Sequence, residues 1–347
     1  MQRTVIAVDL AKNVFQIAVS SSPGTVDEQA RVSRKKFLEF FANREPATIV
    51  MEACGSAHHW GRELMELGHE VRLLPAQYVR PYVVRNKTDR TDTKGLLEAY
   101  RNEEIQPVPI KSVTQQSLVV LHRLRSGWIE SRTAWVNALR GHLRELGLFI
   151  PVGRRKVVPQ VREWIADADL GVPMAIRDAL HRVCEEVDRA TEEIEALDRQ
   201  IESLGRQIEE VRRLETIPGI GWLTATAVFM VVGDIERFAS ARHLASYLGL
   251  TPRESSSGGK RWLGGISKRG DAYLRTLLVH GARGVLSWAK RRGPKGRLEE
   301  WALEIEKRRG PNKAAVALAN KQARVVWAVW KRHQTFEHLP LVDDAAA

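Results

Sequence analysis

Apolar and polar positions change their period about a third of the way along the chain. Residues 4–10 and 14–20 are short β-rich runs separated by Ala11-Lys12-Asn13, which predicts a hairpin-like pair of strands. Residues 25–33 predict a third strand, 35–41 a helix, 47–52 a buried strand, 58–67 a second helix, and 70–74 a strand closed by Pro75. A helical pattern follows over 92–101. Strands first, then strands alternating with helices, predict a mixed sheet flanked by helices.

Beyond residue 110 the strand pattern stops. Leu121, Leu124, Trp128, Trp135, Leu139 and Leu146 form a helical stripe over 117–146, and a looser stretch surrounds Pro151, Pro159 and Pro173. Ile176, Leu180, Val183, Val187, Ala190, Ile194, Leu197, Ile201, Leu204, Ile208 and Val211 then recur in unbroken steps of four and three, with Glu and Arg at many flanking positions. Five such heptads predict a long coiled coil, formed with the 117–146 helix or with a second chain. The last third predicts helices over 222–232, 272–290, 297–308 and 313–332. Gly- and Ser-rich segments interrupt them at 214–221 and 251–270, and a loosely ordered tail runs over 334–347.

Charge sharpens this division. Between Thr251 and Arg332 stand 20 Lys and Arg against 6 Asp and Glu, an excess of 14 that more than accounts for the net +12 of all 347 residues. A one-ended positive field suits a polyanion, most often nucleic acid. Cys54 and Cys184 are the only cysteines, too few for a disulfide scaffold and without metal-type spacing. The first residues lack a signal-peptide pattern, and no apolar run reaches the ~18 residues of a membrane span. The expected location is cytoplasmic, with no membrane partner.

Three groups of residues could carry chemistry. Asp9 closes the apolar run Val5-Ile6-Ala7-Val8, Glu52 closes Thr48-Ile49-Val50-Met51, and Asp89 and Asp92 stand three apart at a helix start. An acid closing a buried strand is costly unless it has a partner. Converging carboxylates can bind Mg²⁺ and leave positions for phosphate oxygens; Asp89 and Asp92 equally suit helix capping. The second group is the turn Pro218-Gly219-Ile220-Gly221 before a helix. Gly219 and Gly221 there could free backbone N–H groups for a phosphate, as in a helix-hairpin-helix element, or simply make a tight turn. The third is Ser255-Ser256-Ser257-Gly258-Gly259-Lys260-Arg261, with Arg253, Lys268, Arg269 and Arg275 nearby. It reads either as a solvated loop or as a phosphate-holding loop with a hydroxyl; it is neither a P-loop nor a Gly-x-Ser-x-Gly elbow.

In order along the chain, Val5-Ile6-Ala7-Val8-Asp9-Leu10-Ala11-Lys12, Met51-Glu52-Ala53-Cys54-Gly55 and Lys87-Thr88-Asp89-Arg90-Thr91-Asp92 resemble the Asp-Glu-Asp-Asp pattern of a RuvC-like, ribonuclease-H-type nuclease domain. Ile217-Pro218-Gly219-Ile220-Gly221, Leu248-Gly249-Leu250-Thr251-Pro252, Ser257-Gly258-Gly259-Lys260 and Ile266-Ser267-Lys268-Arg269-Gly270 resemble the transposase domain that accompanies it. The pairing is similar to the DEDD-type insertion-sequence transposases, a group that includes bridge-RNA-guided recombinases. The resemblance implies an α/β ribonuclease-H-like domain over 1–110, a helical linker with the coiled coil over 111–213, an all-α transposase domain over 214–333, and the tail.

It implies further that Asp9, Glu52, Asp89 and Asp92 bind Mg²⁺ and that Ser257, five positions after Pro252, attacks the phosphodiester in preference to Ser255 or Ser256. A phosphoserine link would conserve the bond energy for rejoining. Gly219, Gly221, Arg253, Lys260, Arg261, Lys268, Arg269 and Arg275 would contact nucleic acid. The implied partners are DNA, a bridge RNA and further copies of the chain, as a dimer or tetramer. One subunit's acids would work with another's serine domain, in a prokaryotic cytoplasm at the nucleoid. From the residues alone, two rivals stand. A junction-resolving or repair nuclease would use water as nucleophile and tolerate Ser257→Ala. A non-catalytic coiled-coil DNA-binding protein would keep every activity in Asp9→Ala.

Overall fold

The computed structural model describes residues 4–83, 89–167 and 172–340. The chain divides into two compact units, Met1–Val113 and Thr114–Ala347.

The first unit is built on strands β1 (Val5–Asp9), β2 (Val14–Ser20), β3 (Glu28–Ser33), β4 (Thr48–Glu52) and β5 (Glu70–Leu74), in the spatial order β3-β2-β1-β4-β5. Pairs β1–β2 and β2–β3 are antiparallel, whereas β1–β4 and β4–β5 are parallel. Helices α1 (Phe37–Ala42), α2 (Ala57–Glu66), the short α3 (Ala76–Val79) and α4 (Asp89–Arg101) complete the unit. The central strands are apolar almost throughout because both sheet faces are covered. Ile6, Val8, Ile49 and Met51 pack with Phe37 and Phe41 of α1 and Trp60 and Leu64 of α2. Ala7, Ala18 and Val50 pack on the other face with Leu96, Leu97 and Ala99 of α4. This is the mixed sheet flanked by helices that the pattern predicts, and its order is compatible with a ribonuclease-H-like domain.

The second unit opens with two 33-residue helices, α5 (Val113–Glu145) and α7 (Met174–Arg206), joined through α6 (Val157–Ala166). They run antiparallel: Arg125 is ion-paired with Asp198, and Arg132 donates to the Thr191 hydroxyl at 3.3 Å. The α7 seam buries Leu180, Val187, Ala190, Ile194, Leu197 and Ile201 as its spacing predicts, with Cys184 and Gly205 in place of Val183 and Leu204. It is not one unbroken helix to Val211. Helix α7 ends at Arg206, Ile208 is extended, and α8 (Glu209–Glu215) turns back against α9 (Trp222–Val232).

The stripe of α5 also differs from the expected one. The buried side is Gln115, Leu118, His122, Arg132, Val136, Leu139 and Leu143, while Leu124 and Trp135 are exposed. Three polar residues lie in the buried stripe, so hydrophobicity alone selects a face rotated away from it.

After α9 come α10 (Ala241–Tyr247), strands β6 (Pro252–Ser257) and β7 (Lys260–Ile266), and helices α11 (Ala272–Arg292), α12 (Arg297–Arg309) and α13 (Pro311–Lys331). The helices share one core through Leu244, Leu278, Ala282, Leu318 and Val326. The expectation of an all-α C-terminal domain is therefore corrected: β6 and β7 form an antiparallel two-stranded hairpin. Its two-residue turn, Gly258-Gly259, has φ of +57° and +75°, the left-handed pair that matches strand twist and that glycine adopts freely. The tail is corrected in part as well. The Phe336 N–H donates to the Thr216 hydroxyl at 2.8 Å, and the Arg297 guanidinium donates to the Pro340 carbonyl at 3.1 Å, so residues up to 340 are fastened to the helices; 341–347 lie outside the described residues. Among the described residues no helix is long and apolar enough to cross a membrane.

Candidate active site and nucleic-acid interface

Register places the first two acids together. Val8 of β1 pairs with Met51 of β4, so Asp9 and Glu52, each one residue further on, end two neighbouring parallel strands at the same level. Alternation puts both on the face that carries Ala7 and Val50, the face covered by α4. Helix α4 runs opposite to β1, since Leu97, Tyr100 and Arg101 line a cavity of about 230 Å³ with Val5 and Thr48 at the starting ends of the strands. Nine helical residues back from Arg101 rise ~13.5 Å and four strand residues on from Val5 ~13 Å, so the first turn of α4 lies at the level of Asp9 and Glu52. Asp92 stands there, four and seven residues before Leu96 and Ala99, on the sheet-facing stripe.

The Asp92 Oδ1 atom is buried and accepts no hydrogen bond, which is costly for a carboxylate oxygen without a further partner. Electrostatics agrees with the grouping of the strand acids. The Cys54 thiol, two residues past β4, is held above its ordinary range by partial desolvation and then by the charges of Glu52 and Asp9. The donor set is all oxygen, suited to a hard divalent cation. Among the described residues, however, no three His, Cys, Asp or Glu side chains stand close enough to hold a metal ion. The Asp89 side chain lies outside the described residues, so the acids described here form a shared face and not a closed cage.

The serine segment is a strand, not a loop. Ser257 pairs with Lys260, Ser256 with Arg261, Ser255 with Trp262 and Glu254 with Leu263. Alternation therefore sets Ser255, Ser257, Lys260 and Trp262 on one face, and Glu254, Ser256, Arg261 and Leu263 on the other. The second face is satisfied internally: the Arg261 guanidinium donates to both Glu254 carboxylate oxygens at 3.1 Å, and the Ser256 hydroxyl donates to one of them at 2.9 Å. Those two donors hold the exposed Glu254 carboxyl below its ordinary range, Arg261 first.

Both faces of the hairpin are open to solvent, and its base is anchored. The Lys268 N–H donates to the Gly249 carbonyl at 3.1 Å, and the Arg275 guanidinium donates to the Leu248 and Arg269 carbonyls at 3.3 and 2.9 Å. Arg275 is thus engaged in fastening the base, while Arg253, Lys260, Lys268 and Arg269 are exposed. The glycines of the earlier turn divide in the same way. A Cβ on Gly219 would lie 2.8 Å from the Gly281 carbonyl oxygen, so this glycine permits close packing on α11. Gly221, the N-cap of α9, is exposed with open space beside it and is the one placed to present backbone to a phosphate.

The charge and serine patterns drew attention to the hairpin but passed over Trp262 and the orphaned oxygen of Asp92. An aromatic residue following Lys260-Arg261 was the available signal for the first; nothing in the sequence marks the second.

A family model described as the transposase IS116/IS110/IS902 family matches residues 211–295, and a second, a DEDD transposase model of the IS110 group, matches residues 6–147. The transposase for insertion sequence element IS1111A of Coxiella burnetii is 38% identical over 332 residues, covering 96% of this chain and 91% of its own. A probable family 20 transposase of Pseudomonas aeruginosa is 39% identical over 338 residues, 97% and 99% of the two chains. The transposase for insertion sequence element IS1328 of Yersinia enterocolitica is 35% identical over 344 residues, 96% and 98%.

Proposed function

Since the chain belongs to the IS110/IS116 family of DEDD transposases, we propose that it cuts and rejoins DNA with Ser257 as nucleophile, working with a Mg²⁺ held by Asp9, Glu52, Asp89 and Asp92 of another copy of the chain. The observation that carries the acidic half is the convergence of Asp9, Glu52 and the first turn of α4 on one sheet face, with the buried Asp92 Oδ1 lacking a partner. When bound there, Mg²⁺ supplies charge for phosphate oxygens.

The Ser257 hydroxyl loses its proton as its oxygen forms a bond to phosphorus, and the P–O bond to the leaving sugar oxygen breaks as that oxygen takes up a proton. A sugar hydroxyl of the strand to be joined then attacks the phosphoserine ester and returns the oxygen to Ser257 with a proton. One P–O bond is exchanged for another at each step, so rejoining needs no external energy source. Ser257 is the favoured serine because it stands directly across from Lys260, whereas Ser255 on the same face pairs with Trp262 and the Ser256 hydroxyl is committed to Glu254. Under this reading the nuclease assignment covers 1–110, the helices of 111–213 associate copies of the chain into a dimer or tetramer, and 214–333 holds the serine. A bridge RNA is the proposed guide, by kinship with the guided members of the family.

The test is a trapping assay on DNA carrying the element's ends, with Mg²⁺ and co-expressed flanking RNA. A protein–DNA adduct that survives denaturation in wild type and in Ser256→Ala, and is absent from Ser257→Ala and Asp9→Asn, is the expected result. Cleavage without an adduct, unchanged in Ser257→Ala, would transfer the reaction to water and the acids.

A further inference from the structure

We propose that the Ser257 face of the hairpin is a docking surface for unpaired DNA, on which the indole of Trp262 stacks against a base next to the phosphate that Ser257 attacks; this rests on the serine reading above.

The two faces of the hairpin are chemically unlike. On one, Glu254, Ser256 and Arg261 satisfy one another, and the charges cancel locally. On the other stand two serines, an ammonium without a carboxylate on that face, and an indole that is 68% exposed. Among the described residues no ring or cation packs on Trp262. Leaving so large an apolar surface in water forgoes the burial that a tryptophan usually finds, and an exposed indole bordered by cations is the composition of a stacking platform for nucleic-acid bases.

The order along the face gives the platform a direction. Ser257 lies directly across from Lys260, and Trp262 is two strand residues, ~7 Å, beyond Lys260. Hydroxyl and ammonium therefore stand side by side next to the turn, where a phosphate would lie. The indole stands one step toward the base of the hairpin, across from Ser255, where the neighbouring nucleobase would lie. A base within an intact duplex has both faces covered by its neighbours, so only an unpaired or unstacked base can meet the indole. Positive charge at Lys260, with Arg253 and Lys268 also exposed on this segment, favours a polyanion over an apolar protein partner.

The position of Trp262 also suits a merely structural residue poorly. The register is set by the Gly258-Gly259 turn and the anchored base, neither of which involves the indole. Substitution should leave the hairpin intact.

The test uses the full chain in a Ser257→Ala background, so that no chemistry intervenes. The probes are a mixed-sequence single-stranded DNA bearing 2-aminopurine, the same sequence as duplex, and the same sequence as RNA. The expected result is that adding Trp262→Ala weakens single-strand binding about fivefold to a hundredfold and removes the quenching of 2-aminopurine, while duplex affinity changes less than about twofold. Trp262→Phe should keep most of the effect, and an unchanged urea midpoint excludes a folding defect. Unaltered single-strand binding, an equal loss on duplex, or an effect confined to the RNA probe would each overturn the proposal. So would a change of oligomeric state without a change in binding, which would make Trp262 a subunit contact. Failure of the serine reading appears separately, as an intact adduct in Ser257→Ala with Trp262 untouched.

Discussion

A single missing carbon sets the geometry of the serine hairpin. At Gly249 the backbone has φ of +68°, and a Cβ there would lie 2.1 Å from the backbone oxygen of Arg269. Neither atom can swing aside as a side chain could, because the Lys268 N–H and the Gly249 carbonyl are joined across the same crossing. Gly249→Ala should therefore cost about 3 kcal/mol or more, left-handed strain adding to a displaced backbone. Gly258 offers the contrast: its φ is also positive, at +57°, but nothing lies within 4 Å of the position a Cβ would take. Asparagine tolerates that conformation, so Gly258→Asn should change stability by less than about 1 kcal/mol. Urea midpoints of the two variants, with wild type alongside, decide the matter; equal midpoints would mean that the crossing relaxes freely. The same residue-level logic separates Gly219, which makes room for α11, from Gly221, which faces solvent.

Helix α5 is fixed to its neighbours by a buried polar chain. The His122 ring meets the Tyr273 hydroxyl through Nδ1 at 2.9 Å and the Thr226 hydroxyl through Nε2 at 3.0 Å, which ties α5 to α11 and α9. Thr226 spends its own proton on the Trp222 carbonyl at 2.8 Å, so Nε2 carries the hydrogen and Nδ1 accepts from Tyr273. The ring is thus satisfied while neutral, and burial, with Arg125 nearby, lowers its pKa to about 4. Unfolding returns it toward ~6.5, so the unfolded chain binds the extra proton first. Stability from this residue is complete above pH ~6.5 and falls as pH drops toward about 4, by about 3 kcal/mol in all. His122→Gln should show a shallower loss between pH 7 and 4.5 in urea titrations; parallel curves would remove His122 from the account. This residue also explains what the sequence concealed. Strands β1 and β4 and the acids that end them were legible because a run of apolar residues closed by a carboxylate is an unusual pattern. The buried side of α5 was not, because Gln115, His122 and Arg132 resemble surface positions until their partners are known. The hairpin was not legible either, since strands exposed on both faces have no alternation to read.

Across the whole chain, the positive excess between Thr251 and Arg332 becomes more specific once its cations are sorted by what they touch. Helix α11 carries Arg275, Arg283, Lys290, Arg291 and Arg292 and no acid. Arg275 is bound to backbone carbonyls, Lys290 is paired with Glu306 and Arg292 with the buried Glu299. Among the described residues no carboxylate pairs with Arg283 or Arg291; both are exposed, and Arg291 lies over the open ring of Trp288. Cations already neutralised within the fold release no counterions when DNA binds, whereas unpaired ones do. DNA affinity should accordingly fall on the order of a thousandfold between ~50 and ~200 mM salt. Arg283→Ala and Arg291→Ala should each reduce the slope of log affinity against log salt by about 0.9, and Lys290→Ala should leave it nearly unchanged. Fluorescence anisotropy on a duplex of arbitrary sequence measures all three. Equal slopes for all the variants would mean that DNA does not reach α11, and a flat response in wild type would remove backbone charge as the basis of recognition.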